Sequence, residues 1–109
     1  MIRCLRLFTG PDGRSHVANI TLQAGTLQAA KAVHVEETAA GSALDWHVAP
    51  CRQYVVTLSG TLEFVTRDGE TFILKPGDVL LAEDITGPGH RWRLIDDQPW
   101  RRMYVELSD

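Results

Sequence analysis

Four side chains in the second half and near the centre of the chain have the chemical types needed for acid–base or metal chemistry: His47, Gln53, Glu83 and His90. His47 and Gln53 lie six residues apart in the run W-H-V-A-P-C-R-Q-Y. Imidazole binds metals and exchanges protons near neutral pH, and amide and carboxylate oxygens bind cations. The main functional question is therefore whether His47 and His90 hold a metal or contact an organic ligand.

A metal site at His47 and His90 needs further donors. A divalent metal bound by imidazole usually has at least three protein ligands, so Gln53 or Glu83 would have to complete the set. The candidate ions are Mn, Fe, Ni and Zn. Two alternatives stay open: the histidines form hydrogen bonds in a metal-free polar cavity, or one or both face solvent.

Two further residues are candidates for binding an organic ligand. Trp92 shares a face with His90 and either packs in the core or forms a wall for a flat or aliphatic molecule. Arg52 is adjacent to Gln53 and either anchors a carboxylate or is solvated. The pair Glu83-Asp84 favours a loop that fixes its own turn by side-chain hydrogen bonds over an acid–base pair.

The elements that must position these residues are short strands separated by turns. Turn signals occur at Gly10-Pro11-Asp12-Gly13, Arg67-Asp68-Gly69-Glu70 and Lys75-Pro76-Gly77-Asp78. The segments between the breaks are rich in β-branched and aromatic residues, which predicts an all-β sandwich or barrel. The stretch Gly25–Ala32 is predicted to be strand or irregular. The eight predicted strands are Ile2–Phe8, Ala30–Glu36, Tyr54–Leu58, Thr61–Thr66, Thr71–Leu74, Val79–Ala82, His90–Ile95 and Trp100–Leu107.

The alternation of side chains indicates which residues point inward. In H-R-W-R-L, His90, Trp92 and Leu94 share one face and the arginines share the other, as in a strand with one buried face. His90 is therefore predicted to point inward. The same test groups His47 with Asp45 and Ala49, although neither face there is clearly apolar.

Length and charge limit the function classes. The 109 residues suit one domain spanning 1–109. The formal charge of −3 is scattered, so no basic stripe for nucleic acid is present. The first residues contain arginines and no long apolar run, so we expect no membrane partner and a cytoplasmic location. Cys4 and Cys51 are expected to be free thiols.

Residues 41–90 resemble the two motifs of the cupin superfamily, which are small antiparallel β-barrels with a site inside the barrel mouth. Gly41, His47, Gln53 and Gly60 fall at the spacing of the first motif. Gly77, Glu83 and His90 resemble the second motif with a longer loop. The resemblance implies a single-domain cupin-type antiparallel β-barrel, a jelly-roll-like double-stranded β-helix.

The chain departs from the cupin pattern at two ligand positions. Ala49 stands where cupins usually have a second histidine, and Gln53 stands where they have a glutamate. The run L-L-A-E-D-I-T-G-P-G-H is similar to small bacterial cupins of unassigned activity. The metal motif that the resemblance implies is therefore degenerate.

These observations favour a small-molecule-binding protein with an interior pocket and, as a further expectation, one weakly held divalent metal. A first alternative is a metal-dependent oxygenase or isomerase of a small organic acid, with His47 and His90 as ligands and Glu83 as base. A second is a structural or interaction protein with a vestigial site. We also expect a homodimer, because cupins often pair their barrels and the terminal strands need cover.

Overall fold

The computed structural model describes residues 2–108 and contains ten β-strands in that range. No helix long and apolar enough to span a membrane occurs in these residues. The strands, numbered along the chain, are β1 Ile2–Thr9, β2 Ser15–Leu22, β3 Ala30–Thr38, β4 Ala43–His47, β5 Gln53–Ser59, β6 Leu62–Thr66, β7 Thr71–Leu74, β8 Val79–Glu83, β9 His90–Leu94 and β10 Trp100–Leu107.

The all-β prediction is confirmed, and each of the eight predicted strands corresponds to an observed strand within one or two residues at either end. Two strands, β2 and β4, were not predicted. β2 has the sequence S-H-V-A-N-I-T-L, and β4 has A-L-D-W-H. Both contain residues of low strand propensity, and both gain their conformation from pairing with β1 and β9 respectively.

The strands form two sheets. The first has six strands in the order β2-β1-β8-β5-β10-β3, and the second has four in the order β4-β9-β6-β7. Within residues 2–108 the pairing of β1 with β8 is parallel, and the other strand pairs are antiparallel. Strands distant in sequence are therefore neighbours, which brings the predicted site residues to the same region.

The hydrophobic core lies between the two sheets. Alternate residues of β5, β6, β7 and β9 are buried, as expected for strands with one face toward a core. Burial of these side chains stabilises the fold by roughly 1.5–3 kcal/mol for each large apolar group. The main buried cluster is Leu5, Leu7, Ala49, Val55, Leu62, Phe64, Phe72, Leu74, Leu80, Ala82, Trp92, Leu94 and Trp100.

A β-bulge interrupts the pairing of β10 with β5. Arg101 pairs with Ser59, but the next residue, Arg102, pairs with Thr57. One residue of β5, Leu58, is therefore extra, and its side chain is exposed. The bulge lies beside Arg102, which is buried.

A glycine allows the β8–β9 loop to approach the end of β4. Gly89 has a φ of +78°, and a Cβ built on it would lie 2.0 Å from the backbone oxygen of His47. No side chain fits at that distance. The position of His47 next to His90 therefore depends on a glycine at position 89.

We expect Gly89→Ala to destabilise the protein by more than about 3 kcal/mol, since it adds a backbone clash to the cost of a left-handed conformation. Gly77→Ala is the matched control, because Gly77 has a φ of +90° with open space around it. In the control, the free energy of unfolding should fall by only about 1–2 kcal/mol. Urea unfolding measures both. Equal losses in the two variants would contradict the steric argument.

Candidate functional site

His47 and His90 lie side by side. His47 ends β4, His90 begins β9, and the two residues are paired across the antiparallel ladder. Their ring centroids are 4.4 Å apart, with an interplanar angle of 61°. His90 is buried, as its alternation with Trp92 and Leu94 predicted.

Each imidazole is held through its Nδ1 atom. Nδ1 of His47 lies 2.7 Å from the backbone oxygen of Asp45, and Nδ1 of His90 lies 2.6 Å from Oδ2 of Asp84. A carbonyl oxygen can only accept, so Nδ1 of His47 carries the proton. No other residue among 2–108 forms a hydrogen bond with either Nε2 atom, which leaves both Nε2 atoms available to a ligand.

Asp84 is the residue that orients His90. Its side chain is fully buried, and Oδ2 also accepts a hydrogen bond of 2.6 Å from the hydroxyl of Ser15. The backbone oxygen of Asp84 accepts from the amide of Ala49 at 3.1 Å. The bond to His90 spans the β8–β9 loop, which is the kind of side-chain contact that the sequence suggested, and the bond to Ser15 adds a link to a segment 69 residues away. Oδ1 has no partner in the described part of the chain.

The environment favours a neutral His47. Burial lowers the pKa of its imidazole below the ordinary value, and the neighbouring His90 acts in the same direction. The hydrogen bond to the oxygen of Asp45 and the charge of Asp84 oppose this shift without cancelling it. Nε2 of His47 is therefore a hydrogen-bond acceptor at neutral pH.

A cavity of about 300 Å³ opens beside the two imidazoles. Ala49, Gln53 and Trp92 face the same space, as does Trp100. The indole rings of Trp92 and Trp100 are 4.9 Å apart at 74° and form an apolar wall. The remaining lining residues are His34, Glu36, Leu44, Pro50, Val55, Phe64, Leu80, Ala82, Arg102 and Tyr104.

Gln53 is buried in this lining, and its amide oxygen lies near the thiol of Cys51, which is equally close to Oε1 of Glu106. The thiol of Cys51 lies 3.6 Å from Oε1 of Gln53, which is a weak donor contact. No residue among 2–108 accepts a hydrogen bond from the amide nitrogen of Gln53. Gln53 therefore brings a neutral amide, with one hydrogen-bond donor group and one acceptor, to the cavity lining.

Glu83 and Arg52 do not line the cavity. Side chains alternate along a strand, so Glu83 lies opposite Ala82, and Arg52 precedes the inward-facing Gln53. Glu83 instead forms ion pairs with Arg6 and with Arg52, the latter at 2.6 Å. Burial raises the pKa of Glu83, but hydrogen bonds from both arginines outweigh it and leave the pKa below the ordinary value.

Two strands contribute cavity residues that the sequence analysis did not single out. Arg102 and Tyr104 lie on β10, and His34 and Glu36 lie on β3. The signal for the β10 residues was present, because Trp100, Arg102 and Tyr104 alternate along the strand and therefore share a face. The inward position of Arg102 was missed because Arg102 directly follows another arginine, Arg101, and the sequence alone does not distinguish the two.

A cluster that resembles a metal site occurs elsewhere. Among residues 2–108, a single group of at least three histidine, cysteine or acidic donor atoms lies within 4.8 Å of one another: Asp12, His16 and Asp68. His16 Nε2 is 2.9 Å from Asp12, and Nδ1 is 2.5 Å from Glu70. These contacts raise the pKa of His16 and make it a link between two turns.

Solved structures share this fold. A DUF861 family protein from Thermotoga maritima is 25% identical over 68% of this chain and 77% of its own, with a TM-score of 0.51. A cupin superfamily protein from Desulfitobacterium hafniense is 16% identical over 83% and 84%, with a TM-score of 0.53. The protein has the fold of a small cupin, as the motifs predicted. No protein-family model and no curated protein matches the sequence.

The lowered pKa of His47 predicts a pH dependence of stability. The unfolded chain binds a proton at His47 near pH 6.5, whereas the folded chain binds it only at lower pH, so the free energy of unfolding should fall as pH drops below about 6.5. The change His47→Gln should make that fall shallower. Urea unfolding between about pH 5 and 8 measures it. An unchanged slope would contradict the shift.

Proposed function

We propose that this protein binds a small organic molecule in the interior cavity without a resident metal. The observation that carries the proposal is that both imidazoles line a common cavity while both Nδ1 atoms are held by protein oxygens, so that both Nε2 atoms have no partner among residues 2–108. Imidazoles fixed in this way are oriented before a ligand arrives, which reduces the entropy lost on binding.

The cavity chemistry suits a ligand with an aromatic or compact apolar body and a hydrogen-bond donor. The body packs against Trp92 and Trp100, and the donor reaches the neutral His47. His90 provides a second polar contact through Nε2. A volume of about 300 Å³ is at the lower end for ligand sites, which favours a molecule of about one ring.

A divalent metal held by His47 and His90 is less well supported. These residues supply two nitrogens, Ala49 supplies no donor, and Gln53 supplies only a neutral amide, which is a poorer metal ligand than histidine or carboxylate. Glu83 is paired with two arginines. Among residues 2–108, no acidic, cysteine or third histidine donor completes a close group with the two imidazoles. The donors fall short of the three that such sites usually have.

The metal-dependent enzyme alternative loses support for the same reasons. It assigned the role of base to Glu83, but that carboxylate is outside the cavity and hydrogen bonded to Arg6 and Arg52. Its lowered pKa makes it a weaker base. A structural or interaction role with a vestigial site predicts that the histidines are replaceable without effect on ligand binding, which the next experiment measures.

Thermal unfolding with added phenol and with Mn²⁺, Fe²⁺, Ni²⁺ or Zn²⁺ tests the proposal. Phenol should raise the melting temperature, because it binds only the folded state through its ring and hydroxyl donor. Anisole, which lacks the donor, should raise it less. The metals should have no effect on the natural sequence but should stabilise the double variant Ala49→His, Gln53→Glu, in which four donors face the cavity.

The matched control is the double variant His47→Ala, His90→Ala. It should lose the response to phenol and keep any weak response to anisole, since the apolar wall is intact. A phenol response that survives in this variant would exclude the imidazoles as the binding groups. Stabilisation of the natural sequence by a metal, lost in this variant, would favour the metal-binding alternative at His47 and His90 instead.

We also propose a homodimer formed through β3. This strand is the outer edge of the six-stranded sheet, and it is exposed along its length, including Val33 at 60% and Val35 at 64%. Unpaired edges readily accept another strand. Antiparallel self-pairing centred on His34 sets Val33 opposite Val35 of the partner subunit and Lys31 opposite Glu37 of the partner subunit. Apolar side chains then face each other, and so do side chains of opposite charge.

Light scattering at micromolar concentration should give twice the chain mass of 12.1 kDa. The change Val33→Lys should yield monomers, because it replaces the apolar contact with Val35 of the partner subunit by a charge, and a lysine on an edge strand opposes pairing. Ile73→Lys is the control, since Ile73 is an exposed apolar residue on β7 in the other sheet. A natural protein that scatters as a monomer would overturn this proposal.

We also propose that the protein is located in the cytoplasm. The expectation of free thiols is confirmed, since Cys4 and Cys51 form no disulfide. Cys4 is buried and Cys51 is partly exposed. An exposed free thiol is compatible with a reducing compartment, where disulfides are rare.

A further inference from the structure

Arg102 is a buried charge in the wall of the cavity. Its side chain is on β10 between Trp100 and Tyr104, and the residue is 8% exposed. Nε donates to the hydroxyl of Tyr104 at 3.1 Å. Nη1 donates to the hydroxyl of Thr38 at 2.7 Å and to the backbone oxygen of Trp100 at 3.0 Å. These acceptors are all neutral.

No carboxylate balances this charge. Among residues 2–108, no acidic side chain lies within 4.0 Å of the Arg102 guanidinium. The adjacent Arg101 shows the contrast: it is exposed and forms a 2.5 Å ion pair with Glu37, its neighbour in the ladder. Glu36 is the ladder neighbour of Arg102, yet it does not pair with it.

The guanidinium is held in place by an aromatic ring instead. Its Cζ atom lies 4.0 Å from the centroid of Trp100 and 5.5 Å from that of Tyr104. Cation–π contact offsets part of the cost of burial, but an arginine remains charged at all ordinary pH values. Buried charges are normally paired, so this arrangement lacks an anion.

One terminal nitrogen of Arg102 remains for that anion. Nε and Nη1 have acceptors, whereas Nη2 has none among residues 2–108 and is not enclosed by protein. The hydroxyl of Tyr104 accepts from Nε, so its own proton is available to a second acceptor. Both residues line the cavity. Two donors beside one fixed positive charge match a carboxylate.

We propose that the ligand of the interior cavity is an organic carboxylate, whose anionic group binds Nη2 of Arg102 and the hydroxyl of Tyr104. This inference rests on the proposed function and adds the chemical class of the ligand. The carboxylate would supply the negative charge that no side chain among residues 2–108 supplies to Arg102. The apolar part of the molecule would pack against the indole rings of Trp92 and Trp100. Arg52, which the sequence suggested for this role, is committed to Glu83.

Isothermal titration with two matched pairs of probes tests the assignment: benzoate against benzamide, and acetate against acetamide. Members of a pair have nearly the same shape and differ in charge. The carboxylate of at least one pair should bind at least about tenfold more tightly than its amide, as expected for a charged hydrogen bond. Equal affinities within both pairs would overturn the inference.

Two variants separate the charge from the cavity. Arg102→Gln should weaken benzoate at least about tenfold and leave benzamide unchanged. Because loss of a buried arginine can disturb folding, Tyr104→Phe provides a second test that keeps the ring and removes the donor; it should weaken benzoate by a smaller factor. Circular dichroism checks that each variant is folded. Arg101→Gln, on the opposite face of the same strand, should have no effect.

The outcomes distinguish this inference from the proposed function. If phenol binds while neither carboxylate binds, or if folded Arg102→Gln binds benzoate undiminished, the cavity is a ligand site but Arg102 is not its anion anchor. If phenol, amides and carboxylates all fail to bind, both proposals fall.

Discussion

The site depends on one buried carboxylate. Asp84 is enclosed between the sheets and binds the hydroxyl of Ser15 and Nδ1 of His90 through the same oxygen, each at 2.6 Å. Its backbone oxygen also receives the amide of Ala49. Hydrogen bonds to charged groups contribute about 1.5–3 kcal/mol each, and loss of one leaves a buried group without a partner. The start of β2, the loop before β5 and the start of β9 are therefore fixed relative to one another by a single residue, through its side chain and its backbone oxygen.

Because of this constraint, the two sheets contribute different residues to the site. The four-stranded sheet supplies His47, His90 and Trp92, and Asp84 and Gly89 hold the two imidazoles at contact distance. The six-stranded sheet supplies the opposite wall, including the charged group of Arg102. A ligand between the sheets would meet the two imidazoles on one side and the guanidinium of Arg102 on the other.

Much of the architecture was predictable from the sequence because short-range rules fix it. Alternation in H-R-W-R-L placed His90 inward, and turn residues bounded eight strands. The motif spacing of His47 and His90 predicted the cupin fold. β2 and β4 escaped prediction because tertiary pairing, rather than local propensity, makes them strands.

The site was less predictable where pairing between distant residues decides the outcome. Motif position suggested Glu83, but the alternation of β8 turns it away from the cavity toward Arg6 and Arg52. Arg102 escaped attention because nothing local distinguishes it from Arg101. Each arginine lies opposite a glutamate of β3, but Glu37 forms an ion pair with Arg101, whereas Arg102 donates to the hydroxyl of Thr38 and forms no ion pair with Glu36.

The bulge at Leu58 determines how the chain tolerates changes in length. Arg101 and Arg102 point to opposite faces of one strand, so the insertion or deletion of one residue before them would exchange their positions and carry the ion pair with Glu37 into the interior. The extra residue of β5 takes up a mismatch at this point without moving β10. Length variation is therefore accommodated in β5, where the surplus side chain reaches solvent, while β10 keeps a fixed count from Pro99 onward. Homologous chains that preserve the cavity should differ in length on the β5 side of this junction and not on the β10 side.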